Sequence, residues 1–389
     1  MTLTYVLMQN LRRNRLRTAL TVAAFALPMA IFVAAISFVV ALRELAAASE
    51  HELRLAVRHK TSLTTMLPEG MRRKIEALDP DGRRLRAVCG MRWFGGRVPN
   101  VPNTLTSLAA DPDTFPIVYS DAEMTDSDVA AWKKDRLACV VGAGIAEQYA
   151  WTVGRRIELE STVPPYLRLE FHVVKIMENK ARANFFYFRR DYLEESRRDA
   201  GESDARCNIF WIKCRSAAGL ASLRQDIDAA FVNTPDETKS EDENAFAANF
   251  TQSSGNIPGL MQAMALVVVF VIALVAGNTM MMSLRERTRE LGVFKAIGFS
   301  RGRVFLIVLG ESLLLALLGS LAGIVPAAAA LWAFPLRRLN WGPISALEVS
   351  PAAVIGSLTI ALLVGIASGL WPAFQAMRLR TVNALRQVA

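Results

Sequence analysis

The sequence contains few of the residues from which metal and nucleotide sites are built. It has three histidines and four cysteines among 389 residues, and no two cysteines form a C-x-x-C pair, so we predict no metal site. It has no G-x-x-x-x-G-K-S/T run and therefore offers no phosphate-binding loop for ATP. His51 begins an H-E-L triplet but lacks the second histidine of a zinc-protease helix. We therefore predict that this chain has no catalytic residue and holds no cofactor of its own.

Charged residues are missing from three long apolar runs and nearly missing from a fourth. The runs cover residues 18–42, 257–284, 304–334 and 349–377, and Glu311 is the only charged residue within them. A helix needs about 20 apolar residues to cross the core of a bilayer, and each run is long enough. The first run is too long for a cleavable signal peptide. We therefore predict four transmembrane helices.

The positions of the basic residues predict the orientation of these helices. Basic residues in short flanking loops stay on the cytoplasmic side of a membrane. They outnumber acidic residues in 1–17, 285–303 and 378–389, whereas the two signs are nearly balanced in 43–256. We therefore predict that both termini and the 285–303 loop are cytoplasmic and that 43–256 lies outside. The net charge of +9 then indicates contact with anionic lipid rather than nucleic acid.

Residues 43–256 have the pattern of a mixed α/β domain. Runs such as RRIELE and LRLEFHVVKIM favour strands, and SLRQDIDAAFV favours a helix. The helical pattern continues past the first apolar run and returns before the second, which predicts helical stalks. The predicted fold is therefore an α-helical membrane protein with four transmembrane helices and a mixed α/β extracytoplasmic domain inserted between the first and second.

Three shorter segments complete the predicted organisation. Residues 1–17 place leucines at helical spacing ahead of an arginine cluster, which indicates an amphipathic cytoplasmic segment or a frayed tail. Residues 335–348 form a short outside loop, and 378–389 form a cytoplasmic tail.

All four cysteines lie in the predicted outside domain, where disulfides can persist. They are Cys89, Cys139, Cys207 and Cys214, which can pair in three ways. The last two flank the strand-like run CNIFWIKC. Buried free thiols are therefore an equal alternative to a disulfide.

Two G-x-x-x-G spacings lie in the predicted helices, at Gly319 with Gly323 and at Gly365 with Gly369. Such spacing lets helices approach closely, so it predicts packing or, as the sharper alternative, a dimer contact. Glu311 lies about two turns past the basic loop. We expect it to pair with an arginine of that loop rather than to carry protons.

The loop 285–303 carries the most informative motif. It is charged and helix-forming, and Gly298 breaks it before the next helix enters the membrane. The stretch RERTRELGVFKAIGFS resembles the signature of FtsX-like permeases, in which this loop forms a coupling helix that docks on an ATPase. NLRRNRLRTALTV, CVVGAGIAEQYAWTVGRRIEL and WPAFQAMRLRTVNALR resemble other segments of the same family. The alternative is that the basic residues of this loop only keep it on the cytoplasmic side and that the loop docks on no partner.

The size of the outer domain points to MacB-like permeases, the type VII ABC transporters with a MacB-type periplasmic core domain. Docking on an ATPase requires an apolar knob with charged flanks. The residues that we expect to form this coupling site are Arg287, Arg289, Glu290, Leu291, Val293, Phe294, Lys295 and Ile297.

The same resemblance implies partners and a function. It implies a protein of the bacterial inner membrane that works with two copies of an ABC ATPase, which bind ATP and Mg, and with a second permease copy, identical or paralogous. A periplasmic adaptor and an outer-membrane component are further expected partners. The implied function is a permease subunit that transmits ATP-driven motion to the periplasm for export or extraction of a substrate. A lipoprotein-releasing permease, an FtsX-type regulator of a cell-wall hydrolase and a membrane-anchored sensor are alternatives.

Overall fold

The computed structural model describes residues 15–47, 52–179, 182–202, 204–253, 257–333 and 349–379. The chain forms two compact units. The membrane unit contains the apolar helices, and the sheet unit is formed mainly by residues 42–255. The predicted outside loop 335–348, and most of the segments 1–17 and 378–389, lie outside the described residues.

The elements alternate along the chain as the hydropathy pattern predicts. The helices are α1 Arg15–Ala47, α2 Gly70–Ala77, α3 Phe115–Val118, α4 Asp126–Lys134, α5 Ala143–Gln148, α6 Arg190–Asp199, α7 Ala217–Ala230, α8 Glu243–Ser253, α9 Ile257–Glu286, α10 Thr288–Ala296, α11 Arg301–Ala333 and α12 Pro351–Arg378. The strands are β1 Arg54–His59, β2 Leu67–Pro68, β3 Leu85–Trp93, β4 Gly96–Arg97, β5 Thr106–Ala110, β6 Ala138–Gly142, β7 Arg156–Ser161, β8 Arg168–Met177, β9 Phe185–Arg189, β10 Arg206–Cys207, β11 Ile209–Cys214 and β12 Thr238–Asp242.

Four helices of the described chain are long and apolar enough to cross a membrane, and they belong to α1, α9, α11 and α12. In the membrane unit α12 packs along both α11 and α9. Apolar side chains from all four helices meet in one core, among them Phe25, Ile272, Ala316 and Val364. The sheet unit follows the first of these helices and precedes the second. The predicted fold class is therefore confirmed.

One glycine pair brings α11 against α1. A Cβ atom added at Gly323 would lie 2.1 Å from the carbonyl oxygen of Ala26, and one added at Gly319 would lie 2.3 Å from the Cβ of Phe25. Only glycine permits this approach of the two backbones.

The other glycine pair brings α12 against α11. Added Cβ atoms at Gly365 and Gly369 would lie 2.8 Å and 2.6 Å from the Cβ atoms of Ala316 and Ser312. The Ser312 hydroxyl also donates to the Gly365 carbonyl over 2.8 Å. Both glycine pairs thus pack helices within the chain, so the alternative of a dimer contact at these four glycines does not fit the structure.

The sheet unit is built on a ten-stranded sheet with the order β12-β1-β11-β3-β5-β9-β6-β8-β7-β4. The pairs β5/β9 and β6/β8 are parallel, and the other neighbouring pairs are antiparallel. At the open end, β1 lies between β11 and β12, with Ala56 opposite Trp211 and Val57 opposite Ser240. The strand after the first membrane helix therefore pairs with strands that come about 150 and about 180 residues later.

The other end of the sheet closes on itself. Strand β4 continues β3 after Gly95, whose positive φ of +59° suits glycine. It still pairs with the residues that lead into β5, because the Leu105 N–H donates to the Gly96 carbonyl over 2.7 Å. The far side of β4 pairs with β7, with Gly96 opposite Ser161. The combined β3–β4 strand thus closes a ring with β5, β9, β6, β8 and β7. Alternate side chains of these strands, such as Phe171 and Phe188, form one core.

Candidate functional site

The loop between α9 and α11 folds into the short helix α10. The α10 helix ends where Gly298 takes a φ of +100°, a conformation that glycine adopts without strain. The Gly298 N–H then donates to the Lys295 carbonyl, and the Phe299 N–H donates to the Phe294 carbonyl over 3.0 Å. The rings of Phe294 and Phe299 lie 5.3 Å apart, which completes a Schellman motif. This ending fixes the angle between α10 and α11.

One face of α10 packs on the membrane unit. Leu291 is only 2% exposed and belongs to a cluster with Val304 of α11 and Ala373 of α12. Phe294 is partly buried against the same cluster. The expectation that Leu291 forms part of an exposed apolar knob is therefore corrected, because its side chain is enclosed by the helices of its own chain.

The opposite face of α10 is open. Ile297 is 72% exposed, Val293 is 39% exposed, and Arg289 is exposed beside them. These residues follow each other at four-residue spacing, so they share one side of the helix. Of the eight predicted coupling residues, these three form the exposed surface.

The remaining predicted residues anchor α10 through polar contacts. Arg287 Nη1 donates to Glu311 Oε2 over 2.6 Å, and Arg287 Nε donates to Glu290 over 3.2 Å. Lys295 Nζ donates to the carbonyls of Met377 and Leu379 over 2.8 Å and 2.7 Å, and so caps the end of α12. Burial, with a smaller contribution from Arg301, lowers the pKa of Lys295. The helix is thus held at its start by α11 and at its end by α12.

Residues 298–302 have the letters of the G-x-S-x-G motif. In hydrolases that motif places a nucleophilic serine on a turn from a strand to a helix. Ser300 instead lies between α10 and α11, where its hydroxyl accepts a 3.3 Å bond from the N–H of Arg303. This serine therefore caps α11 and lacks the context of a nucleophile.

The four cysteines lie in the sheet unit, and none of them forms a disulfide. Cys89, Cys139, Cys207 and Cys214 are all free and buried. The structure therefore follows the free-thiol alternative rather than the disulfide. Cys139 lies in the core of the ring, Cys89 lies in a second apolar core, and Cys207 and Cys214 lie in a third.

Sequence reasoning missed a buried ion cluster in the sheet unit. Arg54 donates to Glu243 over 2.5 Å and to both carboxylate oxygens of Asp121 over 2.5 Å and 3.0 Å. Arg182 pairs with the same two acids, and both guanidinium groups lie 4.8 Å from the ring centre of Tyr119. The cluster joins the first strand of the unit to the helix α8 that precedes α9. Its members are far apart in the sequence, so no sequence motif indicates the cluster.

The charges in this cluster support each other. Burial alone would raise the pKa of Asp121, but the guanidinium groups of Arg182 and Arg54 outweigh that effect and hold it below its ordinary value. Burial would likewise lower the pKa of Arg182, and Glu243 instead raises it. Arg54, Asp121 and Arg182 therefore keep their charges inside the fold.

Comparison with known proteins gives one family match. Residues 263–381, which include α10 and the helices on which it packs, match the family described as FtsX-like permease C-terminal. The match thus covers the candidate site and most of the membrane unit.

Curated relatives include proteins named macrolide export ATP-binding/permease protein MacB. The chain is 29% identical to that of Neisseria gonorrhoeae over 173 residues, which are 44% of this chain and 25% of the relative. It is 30% identical to that of Bdellovibrio bacteriovorus over 186 residues, which are 45% and 27%. The chain thus spans about a quarter of the length of these relatives.

Two solved structures resemble part of the fold. The extracellular domain of the ABC-type transporter YknZ from Gram-positive bacteria is 13% identical, with a TM-score of 0.34 over 48% of this chain and 99% of that one. A permease domain from Porphyromonas gingivalis is 12% identical, with a TM-score of 0.31 over 49% and 89%. The family match and the MacB relatives thus show that residues 263–381 are similar to the C-terminal part of FtsX-like permeases and that the chain shares sequence similarity with MacB proteins.

Proposed function

We propose that the chain is the permease subunit of an ABC transporter and that it couples ATP hydrolysis by a separate ATPase to movement of the sheet unit. The similarity of residues 263–381 to FtsX-like permeases supports an ABC ATPase as the partner. In this proposal α10 faces the cytoplasm, both termini are cytoplasmic, and the sheet unit lies in the periplasm of a bacterial inner-membrane protein. Two ATPase copies, a second permease copy, a periplasmic adaptor and an outer-membrane component complete the proposed complex.

The observation that carries the proposal is the division of α10 into two faces. One face is fixed to α11 and α12 through Leu291, Arg287 and Lys295. The other exposes Val293 and Ile297 to the surroundings of the loop. Because one face of α10 is bound to α11 and α12, a movement of a protein docked on the exposed apolar face is passed on to these helices. A loop whose basic residues only keep it on the cytoplasmic side needs neither the bound face nor the exposed apolar face.

The exposed face is tested by replacing Ile297→Asp. An interface that buries this side chain would lose about 1.5–3 kcal/mol of apolar contact and would also bury an unpaired charge, so at least tenfold weaker ATPase binding is expected. The tagged full chain would be purified from its native membrane, and the co-purifying ABC ATPase would be quantified by mass spectrometry and by ATP turnover.

The matched control is Ser300→Asp, which adds the same charge to the same loop and keeps a residue that can cap α11. It should retain the ATPase. If Ile297→Asp retains as much ATPase as the control, or if no ABC ATPase co-purifies with the unaltered chain, the proposed coupling role is wrong.

A further inference from the structure

The last turns of α12 carry an exposed face on which two aromatic rings precede an arginine. Trp371 is 65% exposed, Phe374 is 38% exposed, and Arg378 is exposed at the helix end. At 3.6 residues per turn these three positions fall within about 60° of the helix circumference. Ala373 and Ala376, by which this part of α12 packs on the membrane unit, lie about 130–170° around the helix from the middle of this face. The described chain therefore leaves the face uncovered.

Arg378 has a defined position but no anionic partner in the part of the chain that the structure describes. Its guanidinium lies 4.3 Å from the centre of the Phe374 ring, within the range of a cation–π contact. Among the described residues it forms no ion pair, and the sequence of α12 contains no acidic residue. The carbonyls at the end of α12 are capped by Lys295 instead, at Met377 and Leu379. The N–H donors of Arg378 are therefore available to an anion from outside the described chain.

The two rings lie at the depth where a ligand of this arginine would continue into hydrocarbon. Along the helix axis Phe374 precedes Arg378 by about 6 Å, and Trp371 precedes it by about 10 Å. The headgroup region of a bilayer is about 5–8 Å thick on each side. An arginine at headgroup depth thus places both rings beside the ester groups and the upper acyl chains, a depth at which tryptophan is enriched. A ligand that fits the whole face has a phosphate at one end and hydrocarbon at the other.

We infer that Trp371, Phe374 and Arg378 form a binding site for one anionic phospholipid of the leaflet in which α12 ends. A guanidinium binds phosphate oxygens through paired N–H donors, and its contact with Phe374 orients it before the lipid arrives. The Lys295 ammonium group adds a second positive charge at the same helix end. A headgroup with a net negative charge is therefore favoured over a zwitterionic one, which brings a cation of its own.

The site is tested by the quenching of tryptophan fluorescence in the full chain, reconstituted in vesicles of phosphatidylcholine. Dibrominated phosphatidylglycerol or dibrominated phosphatidylcholine is added at the same mole fraction, because bromine quenches the tryptophans that a lipid contacts. The variant Trp371→Phe removes the reporting ring and keeps an aromatic side chain, so the difference from the unaltered chain reports Trp371 alone. This difference should be severalfold larger with phosphatidylglycerol. An equal difference with both lipids would overturn the site.

The role of the arginine is tested with a matched pair of substitutions. Arg378→Gln should weaken the binding of phosphatidylglycerol at Trp371 about fivefold, which is the contribution of one basic residue beside an anionic membrane. Arg285→Gln is the control, because it removes an exposed arginine from the end of α9 that adjoins α10. It should leave the quenching of Trp371 unchanged. An equal loss in both variants would show a general attraction of anionic lipid to the basic segments and would refute a site at Arg378.

Two further outcomes would assign the face to another occupant. Inorganic phosphate in large excess should not displace the lipid, because it lacks the acyl chains that contact the rings, and displacement would identify a site for a free anion. If neither lipid quenches Trp371, a protein surface rather than lipid covers the face, and the proposal is wrong. The measurement needs no ATPase, so its result is independent of the proposed coupling function.

Discussion

At the scale of single residues, burial controls the reactivity of the cysteines. Burial raises the pKa of Cys89 and of Cys214 to about 12, and it raises the pKa of Cys139 and Cys207 well above the ordinary value. The thiolate is the reactive form, so these thiols are expected to be inert in the folded protein even in an oxidising compartment.

We expect iodoacetamide to modify none of the four cysteines in the folded full chain at neutral pH. In denaturant without reductant it should modify all four, as counted by intact-mass spectrometry. Adding a reductant first is the control and should change nothing. Two unmodified cysteines in the unreduced, denatured chain would reveal a disulfide and contradict the structure.

The ion cluster of Arg54, Asp121, Arg182 and Glu243 makes a second residue-scale prediction. Arg182→Met leaves two buried carboxylates short of one partner, and losing one member of a buried pair costs about 3–5 kcal/mol. The free energy of unfolding of the sheet unit, measured by tryptophan fluorescence at neutral pH, should fall by about this amount. Arg168→Met, which removes a mostly exposed arginine, is the control and should change stability by about 0.5 kcal/mol or less.

The pH dependence of this loss has a defined sign. Asp121 has a lower pKa in the folded state than its ordinary 3.8, so its charge stabilises the fold above that pH and the contribution is lost as the pH falls further. The stability difference between the unaltered chain and Arg182→Met should therefore shrink below about pH 4. A difference that stays constant from pH 7 to pH 3 would contradict the charged state assigned to Asp121.

At the scale of elements, the helix α10 shows what the sequence could and could not predict. The break at Gly298 and the helix-forming stretch before it were predictable because both depend on local residues. The orientation of the helix was not, because Leu291, Val293, Phe294 and Ile297 supply apolar side chains to both faces. The deciding contacts are distant, since Arg287 reaches Glu311 and Lys295 reaches Met377, 82 residues later.

The cap that Lys295 places on α12 can be tested separately from the exposed face. Lys295→Met removes two charge-assisted hydrogen bonds, so amide hydrogen exchange in residues 288–296 should accelerate roughly tenfold. Lys295→Arg keeps the donors and should exchange nearly as slowly as the unaltered chain. Ile297→Asp changes only an exposed position and should leave the exchange rate unaltered. Equal exchange rates in Lys295→Met and Lys295→Arg would show that the Lys295 hydrogen bonds do not anchor α10.

At the scale of the whole molecule, the four membrane helices were predictable from the length and apolar composition of their segments, whereas the closed ring of strands was not. Closure depends on the pairing of Gly96 and Arg97 with Ser161 and Glu160, two short segments that lack the alternating pattern of a long strand. The mixed α/β character was therefore visible in the sequence, and its topology was not.

The proposed orientation is also a whole-molecule property. Asp81→Cys, on an exposed turn of the sheet unit, should react with a membrane-impermeant maleimide in cells whose outer membrane alone is permeabilised. Ser300→Cys, beside α10, should react only after the inner membrane is opened. The buried native thiols give a low background. Labelling of both sites under the first condition would contradict the orientation.

The place of β1 in the sheet has a consequence for biogenesis. This strand emerges directly after the first membrane helix, yet its partners β11 and β12 are translated about 150 and about 180 residues later. At roughly 5–20 residues per second, the ribosome needs about 10–40 s to supply both. During that interval β1 has two unpaired edges, a state that invites aggregation. If the sheet unit is translocated as proposed, newly made chains are expected to depend on a holding chaperone until residue 242 has crossed the membrane.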